Sequence, residues 1–89
     1  MPDRKMPIQM IACCSVDGEL QPLRFRFEDR AHIVHTASVT RIVDIRRYDY
    51  VGIESIDYLC KALLGGEERI CELRYCIRSH RWELLREVN

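Results

Sequence analysis

The sequence predicts an all-β domain in which six antiparallel strands form a meander that curls into a small barrel or a strongly bent sheet. One observation behind this prediction is that runs with a period of two alternate with short polar or glycine-containing segments. Another is that two of those segments carry dipeptides typical of tight hairpin turns, Asp17-Gly18 and Gly65-Gly66. The sheet has to cover its apolar face, and curling achieves this within a chain of 89 residues.

Chain length predicts a single domain over residues 1–89. Residues 1–6 precede the first periodic run and are expected to form a flexible N-terminus. The first three strands are predicted at residues 7–16, 22–28 and 32–43, with the polar segment "FEDRAH" supplying the turn before the third. Within the third run the apolar residues change phase, which predicts a bulge or a bend.

The second strand, "PLRFRFE", has the most regular alternation in the chain. Leu23, Phe25 and Phe27 are expected to face the core, and Arg24 and Arg26 are expected to face solvent. This pattern is typical of a half-buried antiparallel strand with one wet face.

Residues 44–64 allow two interpretations. Residues 44–55 have no period and are predicted as a loop, with space for one helical turn, whereas "SIDYLCKALL" fits both an amphipathic helix and a strand. The strand is favoured because a hairpin at Gly65-Gly66 sets Tyr58 opposite Leu73 and Cys60 opposite Cys71. A short helix within 44–64 is the alternative.

The stretch "RICELRYCIRSHRWELL" is predicted to form the closing hairpin, because its residues alternate inward and outward on both sides of a polar turn. Two registers keep the same face buried. One sets Ile77 opposite Trp82, and the other sets Tyr75 opposite Trp82 and adds a cross-strand pair between Arg74 and Glu83.

Two motifs resemble a group of short, uncharacterised bacterial proteins. One is the strand P-L-x-x-x-F at Pro22, Leu23 and Phe27, and the other is the closing pattern G-x-E-x-x-x-E-L-x-Y-x(6)-W. The second pattern consists of Gly66, Glu68, Glu72, Leu73, Tyr75 and Trp82. The resemblance implies a small β-rich fold and a strand before Gly65, but it implies no activity.

Composition sets limits on the partners and the compartment. Fourteen cations balance fourteen anions, so net charge requires neither a nucleic acid nor a membrane as partner. Five cysteines without a recognisable export signal predict reduced thiols in the cytoplasm.

The sequence argues against metal binding and against catalysis. Cys71 and Cys76 are five positions apart on one strand, so their side chains should point to opposite faces. Cys60 and Cys71, expected to lie opposite each other, are the best candidates for metal ligands, although small core residues are the more ordinary role. No catalytic residue, metal or cofactor is predicted.

The function that the sequence favours is a non-enzymatic interaction or accessory domain that self-associates. Its expected partner is a second copy or another protein, because apolar residues such as Leu59 and Leu63 lie in the opposite phase from the core. The alternative is a small barrel that binds single-stranded nucleic acid through an arginine-rich face with aromatic residues. The candidate residues for that face are Arg24, Arg26, Arg46, Arg47, Tyr48 and Tyr50.

Overall fold

Six antiparallel strands, each paired with the next along the chain, close into a barrel. The computed structural model describes residues 5–88, and the closure is made by three residue pairs that join the first strand to the last. The strands are β1 (Met6–Cys14), β2 (Leu20–Glu28), β3 (Val34–Tyr50), β4 (Ile53–Leu64), β5 (Glu67–Cys76) and β6 (Arg81–Val88). The prediction of an all-β, six-stranded barrel is confirmed.

The N-terminal prediction falls mostly outside the described part of the chain. Residues 1–4 of the expected flexible segment 1–6 are not among residues 5–88, whereas Met6 is already the first residue of β1. No helix within residues 5–88 has the length and apolar character needed to cross a membrane.

The barrel interior is filled by alternate residues of every strand, as the period of two requires. Phe25 and Leu73 are completely buried there, together with Tyr58, whose ring stacks on Trp82 at 5.5 Å between centroids. The Tyr58 hydroxyl donates a hydrogen bond of 2.6 Å to the carbonyl oxygen of Leu20. This bond ties the beginning of β2 to β4 across the barrel, between strands that are not sheet neighbours.

Two bulges in β3 explain the phase change that the sequence showed. In the ladder with β4, Val39 pairs with Ala62 and Arg41 with Lys61, which leaves Thr40 as an extra residue. Ile42 pairs with Cys60 and Asp44 with Leu59, which leaves Val43 as a second extra residue. Each bulge bends the strand and increases its twist. The predicted bulge is therefore present, and there are two of them rather than one.

The loop predicted at residues 44–55 was wrong, and so was the alternative of a short helix within 44–64. β3 continues to Tyr50 and β4 begins at Ile53, so a turn of only Val51 and Gly52 separates them. Residues 44–50 pair regularly but carry Arg47 and Asp49 on the inner face, so the sequence shows no apolar period there. Val51 is an unusual turn residue because its φ is +53°. Pairing with β4, rather than local propensity, determines the conformation here.

The inward position predicted for Leu23 was also wrong. Ile11 of β1 pairs with Arg24 and Ala12 pairs with Pro22, so Leu23 is the extra residue of a bulge and is 46% exposed. Phe25 is 1% exposed and Phe27 packs against the core, as the alternation predicts.

The two closing hairpins follow the predicted pairing. Across Gly65-Gly66, Tyr58 lies opposite Leu73 and Cys60 opposite Cys71. Of the two registers left open for β5 and β6, the structure has the one that sets Tyr75 opposite Trp82.

Two alanine substitutions on β2 test the bulge at Leu23. Phe25→Ala removes a fully buried ring and should lower the free energy of unfolding by about 3–5 kcal/mol. Leu23→Ala should lower it by less than about 1 kcal/mol, because the side chain is half exposed. Urea denaturation at one fixed protein concentration measures both; equal losses would contradict the outward position of Leu23.

Candidate functional site

The C-terminal half of β3, which follows Ser38, has an open edge. β2 pairs with β3 only from Val34 to Ser38, whereas β4 pairs with β3 as far as Tyr50. Beyond Ser38, no strand among the described residues 5–88 pairs with β3 on the side that faces away from β4. An unpaired strand edge of this length is a template for pairing with another chain.

Between Ile45 and Asp49, the odd-numbered residues are the ones whose backbone N–H and C=O groups point to this open edge. The amide of Ile77 donates a hydrogen bond of 3.1 Å to the Glu54 carbonyl, so Glu54 directs its backbone towards β5. Asp49, which lies opposite Glu54 in the ladder, therefore belongs to a pair without mutual backbone bonds. Because the pattern alternates, Arg47 and Ile45 also direct their backbone groups away from β4. The Ile45 N–H donates a hydrogen bond of 3.0 Å to the Asp44 carboxylate, so the outward N–H groups that face solvent are those of Arg47 and Asp49.

The hairpin tip that continues this edge is apolar and strained. Tyr50, Val51 and Ile53 are 74%, 83% and 52% exposed. Val51 has a positive φ, which costs a β-branched residue on the order of 1–3 kcal/mol. An apolar tip that also holds a strained valine is typical of a contact surface rather than of an ordinary solvent-exposed turn.

Residues 44–50 carry different arrangements of charged side chains on the outer and the inner face of β3. On the outer face, Arg46 is held by Asp44 with 3.0 Å between Nε and the carboxylate oxygen, and this contact raises the pKa of Arg46. On the inner face, Asp49 lies directly opposite Glu54, a pair of like charges that disfavours the isolated hairpin. Arg47 lies on that same face, two residues before Asp49.

The six residues proposed for nucleic-acid binding do not form one surface. Arg24 and Arg26 lie on the outer face of β2, beside Thr36 and Ser38. Arg46 lies opposite Asp57 and Ser38 lies opposite Leu63, six positions apart on β4 and roughly 20 Å along an extended strand. Tyr48 and Tyr50 share the outer face with Arg46, whereas Arg47 lies on the opposite face.

Arginines of the closing strands are engaged in ion pairs. Arg74 donates two hydrogen bonds, of 2.7 and 2.9 Å, to the carboxylate of Asp57, which is only 5% exposed. Arg74 also lies opposite Glu83, and Arg86 contacts Glu72 at 2.9 Å. Both arginines are therefore paired with carboxylates on the outer face of β4, β5 and β6.

The cysteine pair considered for metal binding is part of the core. Cys60 and Cys71 are buried, and the Cys60 Sγ lies 3.6 Å from the Cys71 carbonyl oxygen. Burial raises the pKa of Cys60 to about 12 and that of Cys71 to about 11, which disfavours the thiolate form that a metal requires. Within residues 5–88, no cluster of three or more potential metal ligands is found.

Cys76 lies in a different environment, at the end of β5. The Ser79 side chain and the backbone amides of Ser79 and Arg78 donate to its sulfur and lower its pKa below the ordinary value of a thiol. Cys13 and Cys14 are exposed at the end of β1. The chain therefore carries two classes of thiol.

Comparisons of the chain with protein-family models, curated proteins and solved structures find no significant match. The resemblance to short bacterial proteins therefore stays a prediction. The evidence on function is therefore the geometry of the open edge of β3 and of the hairpin tip.

The sequence predicts a site at Arg46, Arg47, Tyr48 and Tyr50 from their chemistry, but it does not reveal the strand edge on which they lie. It also missed Asp49, whose backbone is on that edge. The available signal was the glycine at position 52, with extended residues on both sides of a two-residue turn.

Thiol modification separates the two classes of cysteine. At pH 7–8, a water-soluble alkylating reagent should modify Cys13, Cys14 and Cys76 in the folded protein. Cys60 and Cys71 should react only after unfolding, because they are buried and their pKa values are raised well above the working pH. Mass spectrometry counts the adducts; rapid modification of Cys60 in the folded protein would contradict its place in the core.

Proposed function

We propose that this protein is a non-catalytic interaction domain that self-associates through the open edge of β3. The observation that carries the proposal is the segment from Ile45 to Asp49, which is paired with β4 on one side and directs the unpaired backbone groups of Arg47 and Asp49 to the other. Strand addition at such an edge supplies backbone hydrogen bonds, and the neighbouring side chains supply specificity.

The composition of the edge supports this role. Natural proteins protect exposed edges with charged side chains, especially lysine, and with proline, bulges or very short strands. The bulges at Thr40 and Val43 disrupt the half of β3 nearer the barrel, but residues 44–50 contain no lysine, proline or bulge. The charges of this segment have both signs, two arginines and two aspartates, so they exclude strands of one charge but complement a strand that carries the same alternation. This segment ends at the apolar tip formed by Tyr50, Val51 and Ile53. An extended partner strand would pair with the segment and cover the tip.

A proline at position 47 tests the edge directly. Arg47→Pro removes one outward N–H but no hydrogen bond to β4, so the barrel should keep its fold while association weakens strongly. Light scattering at micromolar concentration should give the mass of an assembly for the wild type and of one chain for the variant. Arg86→Gln, on the outer face of β6, is the matched control and should keep the wild-type mass.

Two results would contradict the proposal. One is a wild-type mass of a single chain at all concentrations up to about 100 μM, a range in which a standard-sized interface is populated. The other is an assembly that Arg47→Pro leaves unchanged although circular dichroism shows the variant to be folded.

Single-stranded nucleic-acid binding is the second candidate function, and one observation favours it. Arg24 and Arg26 have no acidic residue directly opposite them, since their cross-strand neighbours are Ile11, Ser38, Gln9 and Thr36. A groove of about 450 Å³ runs beside them. Two arginines form a small footprint, which is why this function ranks second.

Titration of a labelled single-stranded oligonucleotide at about 50 and 200 mM salt tests this second function. If the surface of β2 binds phosphates, Arg24→Gln with Arg26→Gln should weaken binding and reduce the salt dependence by about two phosphate contacts. Arg86→Gln serves as the control, because its guanidinium already pairs with Glu72. An absence of wild-type binding at low salt would remove this candidate.

A further inference from the structure

We infer that the partner of the open edge is the β3 strand of a second copy, paired antiparallel with Tyr48 on the two-fold axis. The inference rests on the proposed function and adds the identity of the partner strand and its register. It follows from the parity of the strand, from the charges of residues 45–50 and from the positions of the bulges.

Symmetry restricts the possible registers. Two antiparallel edges related by a two-fold axis must be related by an axis perpendicular to the sheet, which keeps inner face beside inner face. Residues directly opposite each other then have the same parity, so the axis passes beside a residue and never between two. Within the bulge-free segment 44–50, the central candidates are Ile45, Arg46, Arg47, Tyr48 and Asp49.

Four of these registers are unfavourable. An axis at Arg46 or at Arg47 places two guanidinium groups directly opposite each other, which destabilises an antiparallel pair. An axis at Asp49 does the same with two carboxylates. An axis at Ile45 brings the bulge at Val43 into the new ladder, where its extra residue interrupts the pairing.

The axis at Tyr48 gives complementary charges on the inner face. Arg47 then lies opposite Asp49 of the second copy, and Asp49 lies opposite Arg47 of the second copy. Both residues direct their backbone groups to the open edge, so these pairs also form about four N–H···O=C bonds. The added arginine lies next to Asp49 and Glu54, the like-charged neighbours of the free chain.

Aromatic residues meet on the outer face in the same register. The two Tyr48 side chains lie opposite each other in a close pair without backbone bonds, at roughly 4.5 Å between Cα atoms. Arg46 lies opposite Tyr50 of the second copy, where a guanidinium can stack on the exposed ring. Ile45 is level with Val51 of the second copy, which brings an exposed isoleucine to the strained tip.

Charge reversal at positions 47 and 49 tests the register. Arg47→Asp alone and Asp49→Arg alone each set like charges opposite each other twice, so each variant should self-associate at least about tenfold more weakly than the wild type. An equimolar mixture of the two single variants should form a heterodimer, because both contacts become complementary again. The double variant Arg47→Asp with Asp49→Arg should regain self-association.

Masses from light scattering, with native mass spectrometry to identify the heterodimer, measure these outcomes. Circular dichroism checks that every variant is folded. A heterodimer from two variants that do not self-associate supports the register. Variants that all associate like the wild type would overturn the register but not the edge, provided that Arg47→Pro dissociates the assembly. A monomeric wild type would overturn both.

Discussion

The two bulges of β3 are the constraint on which the rest of the structure depends. A strand of 17 residues could not pair with β2 at one end, with β4 along most of its length, and remain straight within a six-stranded barrel. The extra residues Thr40 and Val43 bend β3 between the part that pairs with both β2 and β4 and the part that pairs with β4 alone. As a result, the first part of β3 belongs to the barrel wall, and the second part runs past the end of β2 with an open edge.

The residues that stabilise the barrel therefore lie in a different part of the fold from the proposed interaction surface. Fully buried side chains such as Tyr58 and Leu73 lie within the barrel, and the hydroxyl of Tyr58 holds the start of β2 in place. The bidentate pair of Arg74 with Asp57 neutralises the one buried carboxylate among the described residues. The distal hairpin is different: it carries exposed aromatic and aliphatic side chains, a valine with positive φ and two acidic residues opposite each other. These features are unfavourable in an isolated chain; in the proposed assembly a second strand would cover the exposed side chains and set an arginine opposite Asp49.

The sequence predicted the parts of the fold that local chemistry determines. The Gly65-Gly66 turn fixed the pairing of Tyr58 with Leu73, because a two-residue hairpin leaves no other register. The end of β3 could not be predicted, because the bulge at Thr40 shifts the phase, the bulge at Val43 restores it, and the inner face beyond them carries Arg47 and Asp49 instead of apolar residues. Val51 is also disfavoured at a positive φ. A bulge is likewise the reason why Leu23, which continues a regular alternation in the sequence, lies outward. The open edge was beyond sequence analysis altogether, because it depends on where β2 stops pairing with β3.

Amide hydrogen exchange measured residue by residue at two protein concentrations tests the central claim most directly. The amides of Arg46 and Tyr48 bond to β4 and should exchange slowly at both concentrations. The amides of Arg47 and Asp49 face the open edge, so they should exchange rapidly in dilute solution and slowly in concentrated solution, where a second strand covers them. Rapid exchange of Arg47 and Asp49 at every concentration would contradict the account.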